Sequence, residues 1–262
     1  MLDFFAPEGD VRITSGRVRQ IPDELGYAGE WQWGFDNYPA ALKAMTEQLK
    51  LNRHLEVGAG RDPVFTVDEE QRMGCTVVLN DVSEAELERF GATRSKFVCD
   101  IASPRFPELL GDQRFDFAYS CMVMEHVKDV PAMWRNISTA LEPGGVAFCY
   151  FPTLYAPPLV LNKIMPEWLS SLLVKAAFPH RADDGLQPKF PAYYNHCTSR
   201  EHKIGPMLTE AGFSDFVVLP FWGYNYFDKF PGVRQIDHAF TRLAHKKRWR
   251  IFSSYAYVIA IK

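Results

Sequence analysis

The sequence predicts an α/β fold built on a mostly parallel sheet with helices on both faces. Short apolar runs alternate with segments of helical periodicity, and this alternation is typical of parallel sheets with helical crossovers. Three predicted strands end at or beside an acidic residue: Glu56, Asp81 and Asp100. Because ligands of such sheets bind outside the carboxyl ends of the strands, we expect these carboxylates to share one site.

The first strand runs into a glycine turn, Gly58-Ala59-Gly60. Glycine adopts backbone angles that a Cβ would forbid, so this turn can bring main-chain N–H groups close to a ligand. Before the strand, residues 38–50 have the apolar spacing of a helix, and the expected buried face consists of Ala41, Leu42, Met45 and Leu49.

The remaining elements follow in regular order. Turn, capping and glycine signals separate apolar runs of strand length from amphipathic segments of helix length. The further predicted strands are residues 76–81, 96–99, 115–120, 146–151, 213–220 and 254–261. The further predicted helices open at a Ser83–Glu86 capping box, at Asp129, at a Thr198–Glu201 capping box and at residue 233.

Residues 153–197 interrupt this rhythm after the fifth strand. Apolar residues recur there at helical spacing, and Pro166 restarts the helix within the run. The segment is either a helical insertion that packs on the core or a lid and substrate wall, since it follows a strand end at the ligand edge. A peripheral membrane contact is disfavoured because cationic residues are sparse along it.

Residues 1–35 show little periodicity and carry an aromatic cluster at Tyr27, Trp31, Trp33 and Phe35. The cluster fits an arm packed over the domain, because large aromatic side chains prefer burial. It also fits a flap over a ligand. We therefore divide the chain into an N-terminal arm and helix, residues 1–50, and a main domain, residues 51–262.

Composition excludes several classes of protein. Of the 262 residues, 47% are hydrophobic and the formal charge is −3, so a substantial core is expected and a basic nucleic-acid surface is not. No apolar run reaches the roughly 18–20 residues needed to cross a bilayer, and the start lacks a cationic, apolar leader. Five scattered cysteines indicate free thiols in a reducing compartment. We expect a cytoplasmic protein.

These segments together resemble the class I S-adenosylmethionine-dependent methyltransferases of the type 11, small-molecule group, over about residues 50–262. The resemblance implies a Rossmann-like sheet of seven strands, mostly parallel, with an antiparallel last strand, and S-adenosylmethionine as cofactor. The matching segments are LEVGAG at 55–60, LNDVS at 79–83, VCDI at 98–101, FDFAYSCMVMEHV at 115–127, LEPGG at 141–145 and LTEAGF at 208–213.

The resemblance also implies where the cofactor binds. Glu56 would hold the methionine ammonium, partly through water, and Gly58 and Gly60 would pass under the methionine and ribose portions. Asp81 would bind the ribose hydroxyls, with Val82 beside it in the cofactor-binding set.

The adenine and methionine ends involve the next two strand ends. Asp100 would accept a hydrogen bond from the adenine amine, with the Ile101 main chain beside it. Ser120 and Cys121 would offer backbone groups to the methionine end.

The acceptor side is less specified by the sequence. His126 is the candidate general base, because histidine titrates near neutrality and lies just beyond the fourth strand; a structural histidine that anchors its loop is the alternative. Glu125 is interpreted as holding loop backbone, and no metal is predicted. Tyr193, Tyr194 and His196 are expected to contact the acceptor, although core packing would also explain them.

We expect methyl transfer to a small-molecule acceptor, either a hydroxyl of a saccharide or nucleotide-sugar or, as the second choice, an aromatic or quinone-like natural product. A nicotinamide dehydrogenase is disfavoured, because Pro63 stands where its third glycine should be and Asp62 would repel a pyrophosphate. A catalytically inactive binding module on the same fold is the alternative of another class.

Overall fold

The computed structural model describes residues 18–154, 191–228, 230 and 232–262. The predicted helical insertion at 153–197 falls mostly outside these ranges, as does the first half of the N-terminal arm. The packing and lid interpretations of the insertion therefore both stay predictions, and so does the domain division at residue 50.

Within the described residues, seven strands form one sheet in the order β3-β2-β1-β4-β5-β7-β6. Strand β7 pairs antiparallel with β5 and β6, and the other neighbouring pairs are parallel. This confirms the predicted Rossmann-like, mostly parallel sheet. The strands are β1 Arg53–Val57, β2 Thr76–Asp81, β3 Lys96–Val98, β4 Phe115–Cys121, β5 Leu141–Pro152, β6 Asp215–Phe221 and β7 Tyr255–Ile261.

Helices flank this sheet, as the alternation of the sequence predicts. They are α1 Ile21–Glu24, α2 Trp31–Leu49, α3 Val67–Met73, α4 Glu84–Glu88, α5 Phe106–Leu110, α6 Val130–Ala140, α7 Glu201–Glu210 and α8 Val233–Lys246. Short 3₁₀ turns lie at Val18–Gln20, Met124–His126 and Arg250–Phe252.

The sheet separates two hydrophobic clusters because successive strand side chains point to opposite faces. In β4, Phe117 and Tyr119 belong to the cluster that contains α2, whereas Ala118 belongs to the cluster that contains α6. Trp134 of α6 is completely buried in the second cluster. Both faces of the sheet are thus covered, which leaves the strand ends as the place for a polar site.

Helix α2 starts seven residues earlier than the sequence predicts, but its expected inner face is buried. The Tyr38 hydroxyl donates to the Ser120 carbonyl at 2.8 Å and so ties the helix to the end of β4. Of the aromatic cluster, Tyr27, Trp31 and Trp33 pack against the core. Phe35 remains 55% exposed, so the preference of aromatic rings for burial accounts for three of the four rings.

One predicted helix cap is wrong. The helix α7 begins after Arg200, with no side-chain cap, because the Thr198 hydroxyl accepts instead from the Arg200 N–H at 3.2 Å. A complete capping box, in contrast, opens α3, where Thr66 and Glu69 satisfy each other's backbone N–H groups. That Thr-x-x-Glu pattern is present in the sequence and was missed.

Helix α8 forms as predicted, but its apolar stripe faces outward. Ile236 is 75% exposed, and Val233 and Leu243 are also exposed. The buried positions of the helix are Asp237 and Ala244. The apolar period therefore predicted the helix without identifying which face packs on the domain.

All five cysteines lie in the described residues as free thiols. In the part of the chain that the structure describes, no helix combines the length and the hydropathy needed to span a bilayer.

Two identical substitutions test the burial pattern. Ile137 is buried in α6 and Ile236 is exposed in α8, so Ile137→Ala should lower the free energy of unfolding by about 2–5 kcal/mol. Ile236→Ala should change it by no more than about 0.5 kcal/mol. Urea denaturation at constant pH measures both values, and equal losses would contradict the described core.

Candidate functional site

The three predicted carboxylates meet at one edge of the sheet. Strand β1 lies between β2 and β4, and Val57 is aligned with both Asn80 and Ser120. Asp81 is aligned with Val98 of β3, and Asp100 follows two residues later. Because these strands are parallel, Glu56, Asp81 and Asp100 all lie at their carboxyl ends.

The glycine turn is held by the neighbouring strand. The N–H groups of Gly58 and Ala59 both donate to the Asn80 carbonyl, at 2.8 and 3.1 Å. Gly58 has a φ of +68°, and a Cβ added there would lie 2.3 Å from a methyl group of Val123. Gly58 is therefore required both for its backbone angle and for the space above it.

Asp81 connects two loops through its carboxylate. One oxygen accepts from the Gly60 N–H at 2.9 Å and the other from the Ser83 N–H at 2.8 Å. The residue is nearly buried, whereas its neighbour Val82 is 51% exposed. Each carboxylate oxygen keeps acceptor capacity for a ligand hydroxyl, and Val82 offers an apolar surface beside it.

The loop after β3 is fixed from two directions. Asp100 is exposed, and one of its oxygens accepts from the Ala102 N–H at 2.8 Å. The carbonyl of buried Ile101 accepts from the Asn136 side chain at 2.7 Å. The amide of Asn80 also donates to the Cys99 carbonyl at 2.9 Å. This loop is therefore held in place before any ligand binds.

A cavity of about 500 Å³ lies beside the glycine turn, within the usual size range of small-molecule sites. Of the predicted cofactor residues, Glu56, Gly58 and Cys121 line it. The complete lining is Phe35, Tyr38, Pro39, Glu56, Gly58, Ala59, Arg61, Asp62, Pro63, Val64, Tyr119 and Cys121. Gly60, Asp81, Val82, Asp100, Ile101 and Ser120 lie along the same edge but outside this lining.

Glu56 is the buried charge of the cavity. One carboxylate oxygen accepts from the Val64 N–H at 2.9 Å and the other from the Tyr119 hydroxyl at 3.3 Å. Burial raises the pKa of Glu56 to about 7, against the opposing effect of these hydrogen bonds and of Arg94. A cation entering the cavity would favour the ionised carboxylate.

Several lining residues were not predicted. Helix α2 contributes Phe35, Tyr38 and Pro39, which share one helix face at spacings of three and four residues. The spacing indicates a shared helix face, but only the packing of α2 places that face next to the glycine turn. Arg61 also lines the cavity, and its guanidinium pairs with Glu86 at 3.0 Å.

The candidate base His126 lies in the 3₁₀ turn after β4. Its Nδ1 is 3.0 Å from the Pro191 carbonyl, and its Nε2 is 3.8 Å from a Glu125 carboxylate oxygen. The main-chain carbonyl of Glu125 accepts from the N–H groups of Tyr193 and Tyr194, at 2.7 and 3.1 Å. Glu125 does hold loop backbone, as interpreted, but through its carbonyl rather than its side chain.

Of the predicted acceptor residues, the structure places Tyr193 and Tyr194 against Glu125. Tyr194 is half-buried, and the Lys128 ammonium lies 5.3 Å from the centre of the Tyr193 ring. His196 is exposed, and no described contact directs it towards the cavity. In the described ranges, no group of three or more His, Cys, Asp or Glu side chains is arranged to hold a metal.

Residues 31–216 match a family model described as a methyltransferase domain. A comparison of the sequence with curated proteins finds no significant match. The fold and the carboxylate-lined strand edge define the class as S-adenosylmethionine-dependent methyltransferases of class I, whose cofactor is S-adenosylmethionine. Because the family model spans well over half of the chain, this protein belongs to the methyltransferase-domain family.

Solved structures share the fold at low sequence identity. A methyltransferase from Mesorhizobium loti is 18% identical with a TM-score of 0.50, over 91% of this chain and 100% of that one. The CMeT domain of citrinin polyketide synthase is 16% identical with a TM-score of 0.51, over 92% and 56%.

Phosphoethanolamine N-methyltransferase 2 of Haemonchus contortus, in complex with S-adenosyl-L-methionine, is 16% identical with a TM-score of 0.48, over 80% of this chain. This chain spans 48% of that protein. At such identities the similarity concerns the fold alone.

The two glycines of the turn should respond differently to alanine. Gly60 has a φ of +53° and nothing within 4 Å of an added Cβ, so Gly60→Ala should cost only the backbone strain of about 1–2 kcal/mol. Gly58→Ala should cost more, because the added methyl also meets Val123, a β-branched side chain with little rotamer freedom. The free energy of unfolding in urea measures both losses.

A double variant separates the two contributions. Gly58→Ala combined with Val123→Ala should recover the steric part of the loss and leave the backbone strain. Equal losses for Gly58→Ala and Gly60→Ala would contradict the close approach of Val123.

Proposed function

We propose that the protein transfers a methyl group from S-adenosylmethionine to a small-molecule acceptor, at a hydroxyl of a saccharide or nucleotide-sugar. The observation that carries the proposed methyl donor is the buried Glu56 carboxylate in a cavity beside the glycine turn. A site of this kind suits a ligand that brings a positive charge. Bound there, S-adenosylmethionine supplies a methyl group activated by its attachment to a positively charged sulfur.

The residues present fit that cofactor. Glu56 has only two described hydrogen-bond donors for its two oxygens, so it retains acceptor capacity for the methionine ammonium. Gly58 lines the cavity, and the space beside Gly60 that a Cβ would fill is open, so a ligand can approach the main chain there.

The remaining roles follow the strand order along the edge. Asp81 and Val82 would bind the ribose region, and Asp100 with the Ile101 main chain would bind the adenine. Cys121 and Ser120 would offer backbone groups at the methionine end, although the Ser120 carbonyl already accepts from Tyr38. These assignments extend away from Glu56 across β1, β2 and β3.

The acceptor would then lie on the other side of Cys121, towards the 3₁₀ turn after β4. The loop of Tyr193 and Tyr194 is pinned to that turn by two main-chain hydrogen bonds. The ring of Tyr255 lies nearby, stacked on Trp31 with ring centres 6.5 Å apart and 5.7 Å from Tyr150. Aromatic side chains provide a flat apolar surface for the acceptor.

This cluster of rings also favours the second candidate, an aromatic or quinone-like acceptor. Such a ring would stack on Tyr255 or Tyr194 in the offset or edge-to-face geometries that aromatic pairs prefer. A sugar ring would use the same surface through its apolar face. Substrate profiling distinguishes the two, because the proposal requires turnover of saccharides or nucleotide-sugars in preference to phenols.

The decisive experiment is a turnover assay. The purified protein is incubated with S-adenosylmethionine and a panel of monosaccharides, nucleotide-sugars, phenols and hydroquinones, and mass spectrometry detects the methylated products. Methylated saccharide or nucleotide-sugar supports the proposal, and phenol methylation alone favours the second candidate. Calorimetric binding of the cofactor without any product indicates the inactive binding module.

The pKa of Glu56 makes cofactor affinity depend on pH. Since burial raises that pKa to about 7 in the free protein and the ammonium requires the ionised form, S-adenosylhomocysteine should bind about tenfold more tightly at pH 8 than at pH 6. Isothermal titration calorimetry at both pH values measures the change. In buffers of different ionisation enthalpy it should also detect release of a proton at pH 6.

Glu56→Gln should bind more weakly and lose this pH dependence. Glu47→Gln, the same change on the exposed side of α2, is the matched control and should keep it. If the affinity of Glu56→Gln for S-adenosylhomocysteine changed with pH as much as that of the wild type, another group would be titrating. That result would contradict the role of Glu56.

A further inference from the structure

Glu125 carries a buried carboxylate, one oxygen of which accepts no hydrogen bond from the described residues. The residue is 5% exposed, and in the part of the chain that the structure describes its Oε2 atom has no hydrogen-bond partner. Its other oxygen lies 3.8 Å from His126 Nε2, which is beyond hydrogen-bond distance. Since a buried polar atom without a partner costs free energy, an oxygen of this kind in a binding region points to a ligand that supplies the missing donor.

Glu125 is close to the cavity along the chain. It lies four residues after Cys121, the last residue of β4, and Cys121 lines the cavity. Burial, together with the nearby charges of Glu125 and Glu56, raises the pKa of the Cys121 thiol to about 12. Both carboxylates therefore lie near enough to the Cys121 thiol to act on its pKa.

The groups that face Glu125 come from three parts of the chain. Cys121 belongs to β4, Tyr194 and Cys197 to the loop after residue 190, and Tyr255 to β7. The charge of Glu125 contributes to the raised pKa of each of these groups. All four are neutral near pH 7, and the imidazole of His126 is the nearest described group that can carry a positive charge.

Burial also raises the pKa of the Glu125 carboxyl to about 7, against the opposing effect of its own backbone N–H. A carboxyl group with this pKa exchanges its proton near neutrality, which suits a general base. The His126 ring is fixed by another contact. Its Nδ1 lies at hydrogen-bond distance from the Pro191 carbonyl, and its Nε2 faces Glu125. His126 therefore lies beside the carboxylate without a hydrogen bond to it.

We propose that the Glu125 carboxylate binds the hydroxyl of the acceptor and removes its proton, a role that the sequence alone had assigned to His126. This inference rests on the proposed function, because it requires an acceptor with an O–H group. The proton passes from the acceptor oxygen to Oε2 of Glu125. The acceptor oxygen uses its electron pair to form the bond to the methyl carbon, while the carbon–sulfur bond breaks and leaves its pair on sulfur, which becomes a neutral thioether.

The first test needs no acceptor turnover. In wild-type protein labelled with ¹³C at the glutamate carboxyl carbon and saturated with S-adenosylhomocysteine, the resonance of Glu125 is assigned by its loss in Glu125→Gln and followed from pH 4 to pH 9. The expected midpoint is near pH 7. A midpoint near the ordinary glutamate value of about 4.3 would overturn the proposal, since the carboxylate would then be solvated or paired.

The second test uses the best alcohol from the acceptor panel. Glu125→Gln should bind S-adenosylhomocysteine as the wild type does, but its kcat should fall by about 100- to 10,000-fold. The wild-type kcat should rise with pH up to about 7, because the base must be ionised. His126→Gln should keep that rise at a reduced kcat, and exposed Glu108→Gln on α5 is the matched control for the loss of a carboxylate.

The outcomes separate the two proposals. The role of Glu125 would be overturned if Glu125→Gln turned over with an unchanged dependence of kcat on pH, or if only His126→Gln lost that dependence. Either result would leave the methyltransferase function intact. Wild-type protein that binds S-adenosylhomocysteine but methylates no alcohol would overturn both. Loss of kcat and of the pH profile in Glu125→Gln alone supports the proposal.

Discussion

The site depends on the pairing of β1 with a neighbour on each side. That double pairing aligns Val57 with Asn80 and Ser120. The chain therefore leaves β1 beside the Asn80 carbonyl of β2, which accepts from the N–H groups of Gly58 and Ala59. A shift of β1 by one residue would turn Glu56 to the opposite face of the sheet. The carboxylate would then leave the cavity, and the glycine turn would lose its hydrogen bonds to Asn80.

Two buried carboxyl groups organise the electrostatics of this edge. The charges of Glu56 and Glu125 both act on the Cys121 thiol, and burial raises the pKa of each carboxyl group to about 7. They differ in their partners, since Glu56 accepts from Val64 and Tyr119 while one oxygen of Glu125 accepts from nothing described. A site with this charge favours cations and proton donors over anions, which agrees with a positively charged methyl donor and a hydroxyl acceptor.

Much of the fold was predictable because its signals are local. Strand-length apolar runs, the Asp129 cap and the glycine turn each depend on a few neighbouring residues, and the structure contains the predicted strands and the cap. The errors arose where tertiary contacts compete with local ones. Thr198 has the spacing of a helix cap, but it is buried and its hydroxyl satisfies the N–H of Arg200.

The sequence alone determined the element types, the class of fold and the edge at which the acidic residues gather, because periodicity and strand direction are properties of the local chain. Only the tertiary structure decided that α2 brings Phe35 and Tyr38 to the cavity, and that one oxygen of Glu125 is buried without a partner among the described residues. Burial and hydrogen-bond satisfaction depend on residues far apart in the chain. Tyr38 and Ser120, for example, are 82 positions apart and share one hydrogen bond.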